Sequence, residues 1–241
     1  MSPEIRARGN PASQTEIRTM FDRIAPIYDV MNSVMTAGID GRWRRAAVRA
    51  CQLSPGETVV DVACGTGALT RALAPAVAPG GSVIGIDRSS GMLRVARRRP
   101  LAAAGVTVEY LEGDALALPL DDGSADAATI GFGLRNVADY SRSVAELARV
   151  TRPGGLVVVL ELASPEHGVG RVIASTWLER IVPFLGRIAG GGSAYRYLPD
   201  SVRAYSSPGA VAAIMRDSGL TEVGWRWLAP GLVTLHVGRR S

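Results

Sequence analysis

Between residues 58 and 162, short apolar runs alternate with helical segments, and this alternation limits the possible folds more than any other feature. TVVDVA (58–63), SVIGID (82–87), VTVEYLEGD (106–114), DAATIGFGL (126–134) and GLVVVLEL (155–162) read as strands. Between them, GALTRALAPAV (67–77), GMLRVARRR (91–99) and SRSVAELARV (141–150) read as helices. Strands joined through helices run parallel, and helices on both faces bury the sheet. After a helix at 208–218 come EVGWRWLA (222–229) and LVTLHVG (232–238), separated by little more than Pro230-Gly231. Two strands that close together form an antiparallel hairpin. The expected fold is α/β: a doubly wound, mainly parallel seven-stranded, Rossmann-like sheet ending in an antiparallel hairpin.

The rest of the chain is organised around that sheet as a single domain, 1–241. Residues 1–53 are expected to form a helical lid, with one pattern over 16–31 interrupted by Pro26 and another over 41–53. The cofactor-binding core spans 54–164, a substrate-cap insertion 165–206, and the last helix and hairpin 207–241. All 27 basic residues are arginine, which excludes Schiff-base chemistry and a lysine base. The net charge of +5 is spread along the chain, so nucleic acid is not an expected partner. The one tight cluster, Arg94 with Arg97, Arg98 and Arg99, sits where a helix should end and complements its dipole. No run of 18 uncharged apolar residues is present, and MSPEIRARGN lacks the apolar centre of a signal peptide. Two cysteines in no ligand spacing suit a reducing compartment and suggest no metal site. The expected location is the cytoplasm.

The turn DVACGTGALT (61–70) joins the first strand to the first helix. Gly65 and Gly67 allow a tight turn and close approach of backbone to a ligand. A dinucleotide fingerprint would need a third glycine at position 70, which is threonine. Asp61 at the start of the turn suits a cationic ligand better than a pyrophosphate. Asp87 ends the second strand, where an acidic residue can accept from both hydroxyls of a ribose. Asp114 ends the third and could face an adenine amino group. Each has a plainer reading: Asp87 as a helix N-cap (although Ser89 or Ser90 could serve) and Asp114 as a turn former. Three carboxylates at successive strand ends around a glycine turn suit S-adenosylmethionine, with its ribose, adenine and positive charge. At this point the chain resembles the class I methyltransferases.

A closer resemblance rests on YDVMNSVMTAGIDGRWRR (28–45), GFGLRNVADY (131–140), RVTRPGGLVVVLELASP (149–165), YRYLPDSV (195–202) and GLVTLHVG (231–238). These are similar to the ubiquinone/menaquinone biosynthesis C-methyltransferase family over about residues 16–238. The resemblance implies methyl transfer to a ring carbon of a demethylmenaquinol- or ubiquinol-type prenylated quinol. On this footing the cofactor set is Asp61, Ala63, Gly65, Thr66, Gly67, Asp87, Arg88, Met92, Asp114, Ala115 and Gly131. Arg135, Asn136 and Tyr28 are the expected catalytic residues. A guanidinium stabilises a phenolate without losing its own proton, and an amide orients a hydroxyl or a water. The plainer readings are an ion pair of Arg135 with Asp139 or another acid, a helix cap at Asn136, and lid packing at Tyr28. The chain has Asp40-Gly41 where many members have His-Arg, and Gly131 where many have serine. His167 and His236 are the only histidines, and neither is expected to act as a base.

Two other functions fit the same motifs. The chain could methylate another aromatic or polyketide product, or it could be a non-catalytic quinone-binding component of a biosynthetic complex. Residues 169–189 repeat apolar residues, with Trp177 and Phe184 among them, at near-helical spacing between arginines, broken at Pro183. That pattern suits a substrate cap, part of which could also touch the inner face of a membrane. A homodimer is a further expectation about partners.

Overall fold

The computed structural model describes residues 13–101, 103–163, 176–177, 192–229 and 232–241, with backbone alone at 192–196 and 229. Most of the 165–206 insertion, including His167 and the 169–189 pattern apart from Thr176 and Trp177, lies outside the described residues. The lid consists of α1 (Gln14–Ile24), α2 (Tyr28–Met35) and α3 (Asp40–Ala50). Pro26 falls between the first two, as its lack of an N–H requires. The core follows as β1 (Thr58–Val62), α4 (Ala68–Val77), β2 (Ser82–Asp87), α5 (Ser90–Arg98), β3 (Thr107–Glu112) and β4 (Ala125–Gly131). A 3₁₀ turn (Leu134–Asn136), α6 (Tyr140–Val150) and β5 (Thr151–Leu162) come next. The chain ends in α7 (Gly192–Ala204), α8 (Pro208–Asp217), β6 (Leu220–Ala229) and β7 (Val233–Arg240).

The seven strands lie in the order β3-β2-β1-β4-β5-β7-β6. The first five are parallel; β7 runs antiparallel to both β5 and β6. Strand order reverses between β1 and β4, which opens a crevice at their carboxyl ends. Period-two alternation sorts the core. Val59, Ala127, Val158 and Leu160 face α3 and α4, where Trp43, Ala47 and Leu73 pack. Val60, Ile130, Val157 and Val159 face the opposite layer, with Tyr140, Leu147 and Met215 from α6 and α8.

Several boundaries differ from the sequence reading, and two of them bear on the site. The fourth strand stops at Gly131, because Phe132 takes a φ of 60° and Leu134 opens the 3₁₀ turn. Asp114 lies two residues past β3, in a turn where its side chain accepts from Leu116 N at 3.0 Å. The arginines near the end of α5 are engaged rather than merely solvated. Arg97 donates to Tyr110 O at 2.7 Å, and Arg99 pairs with Asp29 of the lid at 3.3 Å.

Leu73 on α4 is fully buried between helix and sheet. Leu73→Ala should cost about 2–5 kcal/mol, since both the transfer term and a residual cavity act against it. Urea unfolding followed by circular dichroism should show the midpoint falling with an unchanged m-value.

Candidate functional site

The crevice at the switch point holds a pocket of about 980 Å³, open to solvent on one side. From the core it is lined by Asp61, Ala63, Gly65, Thr66, Asp87, Arg88, Met92, Asp114, Ala115, Gly131 and Asn136. The lid contributes Gln14, Ile17, Arg18, Phe21 and Tyr28. Of the residues proposed from sequence for the cofactor, only Gly67 is not part of this lining. It caps α4 from behind with φ 75°, and a Cβ there would stand 2.4 Å from the Tyr110 hydroxyl. Its service is to let Tyr110 pack beneath the turn.

The carboxylates are held individually. Asp61 is wholly buried and accepts from the hydroxyls of Thr70 at 2.6 Å and Thr129 at 3.0 Å. Burial pushes its pKa up to about 6, while these hydrogen bonds and the Arg44 charge oppose the rise. Asp87 accepts from Gly65 N and from Ser89 N, both at 2.8 Å. It ties the glycine turn to the end of β2, and each oxygen keeps a lone pair for a ligand hydroxyl. Burial raises its pKa as well. The N-cap of α5 is Ser89, which accepts from Met92 N. Asp114 also faces Arg88 across 3.7 Å.

The lid is fastened over this pocket by polar contacts that the sequence does not announce. Asp22 Oδ1 accepts from Ser89 Oγ at 2.6 Å and from Gly91 N at 2.8 Å. Gly91 makes this possible, because a Cβ there would lie 2.7 Å from Asp22 Oδ1. Thr66 Oγ1 donates to Asp29 at 2.5 Å. Gln14 accepts from Arg88 at 3.3 Å and donates to the Asn136 carbonyl at 3.1 Å. These contacts join elements 37 to 122 residues apart, beyond the reach of any local pattern.

Arg135 faces a second chamber of about 400 Å³. Tyr28, Arg44 and Phe132 line both cavities and so form the wall between them. Asn32, Met35, Thr36, Asp40, Trp43, Leu162, Trp177 and Leu198 complete the second chamber. Its floor rests on Glu161 of β5, which is wholly buried. Glu161 accepts from the Arg135 guanidinium at 2.5 Å and from Arg135 N at 3.1 Å. The guanidinium also donates to Phe132 O at 2.7 Å, and Phe132 N donates to Leu160 O at 2.7 Å. One carboxylate thus holds both the backbone and the side chain of Arg135. Burial works to lower the Arg135 pKa, but Glu161, together with Tyr28 and Tyr197, holds it above its usual value. The plainer reading of Arg135, an ion pair with Asp139 or another acid, is thus met by Glu161, while Asp139 caps α6 through Arg142 N.

Asn136 caps no helix; its Oδ1 accepts from Tyr197 OH at 2.9 Å. Tyr28 stacks edge-on against Phe21 with ring centroids 6.0 Å apart. Ala63 and Phe132 both hold left-handed backbone, at φ 52° and 60°. Gly133 lets them meet, because a Cβ there would be 2.5 Å from the Ala63 Cβ. His236 is far from this chemistry. It is buried on β7 against Trp225, with Nε2 3.0 Å from Pro208 O, and burial lowers its pKa to about 4. Glu161 could be sought in the sequence as the one charged residue in an otherwise apolar strand, VVVLEL. Nothing local marks Asp22, Gln14 or Tyr197.

A family model described as the ubiE/COQ5 methyltransferase family matches residues 10–240. A demethylmenaquinone methyltransferase of Thermus thermophilus is 45% identical over 92% of this chain and 100% of its own length. A ubiquinone/menaquinone biosynthesis C-methyltransferase of Syntrophotalea carbinolica is 40% identical, with 94% of each chain covered. Among solved structures, a Thermotoga maritima methyltransferase described as S-adenosylmethionine-dependent superposes with a TM-score of 0.63 at 21% identity. That match covers 92% of this chain and 99% of the other. Haemonchus contortus phosphoethanolamine N-methyltransferase 2, in complex with S-adenosyl-L-methionine, superposes with a TM-score of 0.58 at 14% identity. That match covers 78% of this chain and 49% of the other. At such identities the structural likeness speaks for the fold alone.

Asp61 yields a pH signature. A ligand cation beside it favours the ionised form, so the complex holds Asp61 below its free value of about 6. Affinity for S-adenosylmethionine, measured by calorimetry, should therefore rise with pH up to about 6 and level off above it. Asp61→Asn should weaken binding and abolish that rise.

Proposed function

The chain belongs to the ubiE/COQ5 methyltransferase family, and on that premise we propose that it methylates a ring carbon of a demethylmenaquinol-type prenylated quinol. The observation that carries this reading is the buried Arg135, held by Glu161 in a chamber that shares a wall with the larger pocket. The cofactor is S-adenosylmethionine, and the larger pocket suits it. That pocket has the glycine turn, a carboxylate with lone pairs to spare at Asp87, and a second at Asp114. Asp61, Asp87 and Asp114 would hold its charged and polar groups, with Met92 and Ala115 on its apolar parts. When bound, it supplies an electrophilic methyl group on a sulfonium.

The protein's own task is to make the acceptor carbon nucleophilic and to place it. A phenolic hydroxyl titrates near pH 10, so the phenolate is scarce at neutral pH. The Arg135 guanidinium lowers the cost of forming it, and Glu161 keeps the guanidinium from moving. Tyr28, common to both cavities, orients the acceptor oxygens; Asn136 lines the larger pocket, where its amide is anchored by Tyr197 and can orient a water beside them. The lid excludes water, which strengthens each of these interactions. An oxidised quinone ring is electron-poor and is not a nucleophile here.

A prenylated acceptor must reach the chamber from a bilayer. Ile27, Val30, Val34 and Ile39 are exposed on and beside α2, whose other residues Asn32, Met35 and Thr36 line the chamber. This patch supports peripheral contact with a membrane surface near the chamber. Trp177, by contrast, donates its indole N–H to Met35 O at 3.0 Å and packs as a wall of the chamber. Sedimentation with anionic liposomes should carry the wild type down at low salt, and Val30→Ser/Val34→Ser should stay in the supernatant. Equal sedimentation of both would remove the patch from the account.

Incubation with labelled S-adenosylmethionine and a panel of reduced and oxidised quinones tests the function itself. Only reduced, demethylated quinols should gain label, on a ring carbon. Label on oxidised quinones alone would overturn the reading. Arg135→Ala should lower the methyl-transfer rate by about 100-fold or more while leaving cofactor affinity nearly unchanged. Alanine leaves Glu161 buried without its partner, at a cost of about 3–5 kcal/mol. Arg135→Met/Glu161→Gln, measured alongside, separates the chemical loss from unfolding.

A further inference from the structure

Asp40 is the only carboxylate among the described residues lining the second chamber. It opens α3 and is largely shielded from solvent, with 14% of its side chain exposed. Thr36 Oγ1 donates to its Oδ1 at 3.2 Å, and Arg44, one turn along α3, donates to its Oδ2. Arg44 in turn lies over the Phe132 ring at 5.7 Å, on the wall between the two cavities. The chamber therefore holds two guanidiniums, Arg44 and Arg135, each with its own carboxylate. Those carboxylates are not equivalent. Glu161 is sealed beneath the floor, its oxygens taken by Arg135 and by the backbone of Arg135 and Leu162. Asp40 faces the cavity, and an ionised carboxylate has lone pairs beyond the two bonds it accepts here. Among the described residues, no histidine lines the chamber.

We propose that Asp40 is a catalytic residue, the proton acceptor for the hydroxyl of the methyl acceptor. This rests on the quinol reading above. The acceptor O–H bond breaks and a new O–H bond forms on Asp40. The electron pair stays on the acceptor oxygen, and the negative charge moves from Asp40 to that oxygen, between Arg44 and Arg135. After the ring carbon has gained its methyl group, the proton on that carbon leaves to water. That loss restores the aromatic ring, and the proton on Asp40 then returns to the acceptor oxygen, which restores the carboxylate. One proton is released overall, as a cationic methyl donor requires. Arg44 changes partner during the step without losing charge, because guanidinium keeps its proton.

The test uses Asp40→Asn, an isostere that can still accept from Thr36 and Arg44, together with Asp40→Ala. Acceptor affinity is read without turnover from quenching of the chamber tryptophans, Trp43 and Trp177. Single-turnover methyl transfer is read with a series of reduced acceptors of increasing hydroxyl acidity. A general base contributes about 10²–10⁴-fold, so Asp40→Asn should lose 100-fold or more while acceptor and cofactor affinities stay within a few fold. The deficit should shrink as the acceptor becomes more acidic, and acetate should restore part of the Asp40→Ala rate. A near wild-type rate in Asp40→Asn would overturn the proposal. So would a deficit that acetate does not relieve and that is the same for every acceptor, since that is the behaviour of a residue that only orients Arg44. A wild type that methylates no quinol would instead overturn the functional reading itself.

Discussion

A guanidinium buried at the end of a parallel sheet is costly unless a carboxylate meets it, and the Arg135–Glu161 pair is the interaction on which the site depends. Glu161 sits on β5, between β4 and β7, where no solvent reaches it. Its two oxygens collect the Arg135 side chain, the Arg135 amide and the Leu162 amide. To bring Arg135 there, the chain leaves β4 abruptly. Phe132 adopts left-handed backbone, Gly133 passes against Ala63, and a short 3₁₀ turn carries Arg135 down onto β5. The local strain at Phe132 is of the kind found where function over-determines geometry. Neither partner could be removed alone without leaving an uncompensated charge in the core.

The rest of the site follows from a division of space. The glycine turn and the ends of β1 and β2 form one cavity, suited to a cation with hydroxyls to be held. The lid helices and the β4 exit form the other, apolar apart from its ion pairs, Tyr28 and a few small polar groups. Phe132, Arg44 and Tyr28 belong to both. A methyl donor in one and a ring acceptor in the other would have to meet where the cavities adjoin at these residues, and transfer would then depend mostly on placement. The lid supplies that placement through Asp22, Asp29 and Gln14, each bonded to a residue of the core crevice.

Much of the fold was legible because its signals are local. Alternating apolar residues in TVVDV and VVVLEL mark strands, and Pro26 divides α1 from α2. Pro230-Gly231 lies between two runs that pair as an antiparallel hairpin. That one crevice would gather Gly65, Asp87 and Asp114 was legible for the same reason: they stand at or just past strand ends, and parallel topology brings strand ends together. Strand limits were read less well at Gly131, where the left-handed backbone of Phe132 ends the strand before the apolar pattern does, and at Glu112, beyond which Gly113 and Asp114 belong to a turn.

By itself, then, the sequence determined the layer order, the crevice and the residue types that line it, since periodicity and turn chemistry act over a few residues. Only the tertiary structure decided who partners whom. Arg135 could have met Asp139, four residues away, yet it meets Glu161, 26 residues on, because Asp139 is spent on the first turn of α6. Asn136 could have capped a helix, yet it anchors Tyr197 from 61 residues away. Asp40 stands just before a helical pattern in the sequence, and only the closing of α2, α3 and the β4 exit around one cavity makes it part of a chamber lining. Such pairings are set by which surfaces the sheet brings into contact, and no window of sequence contains both partners.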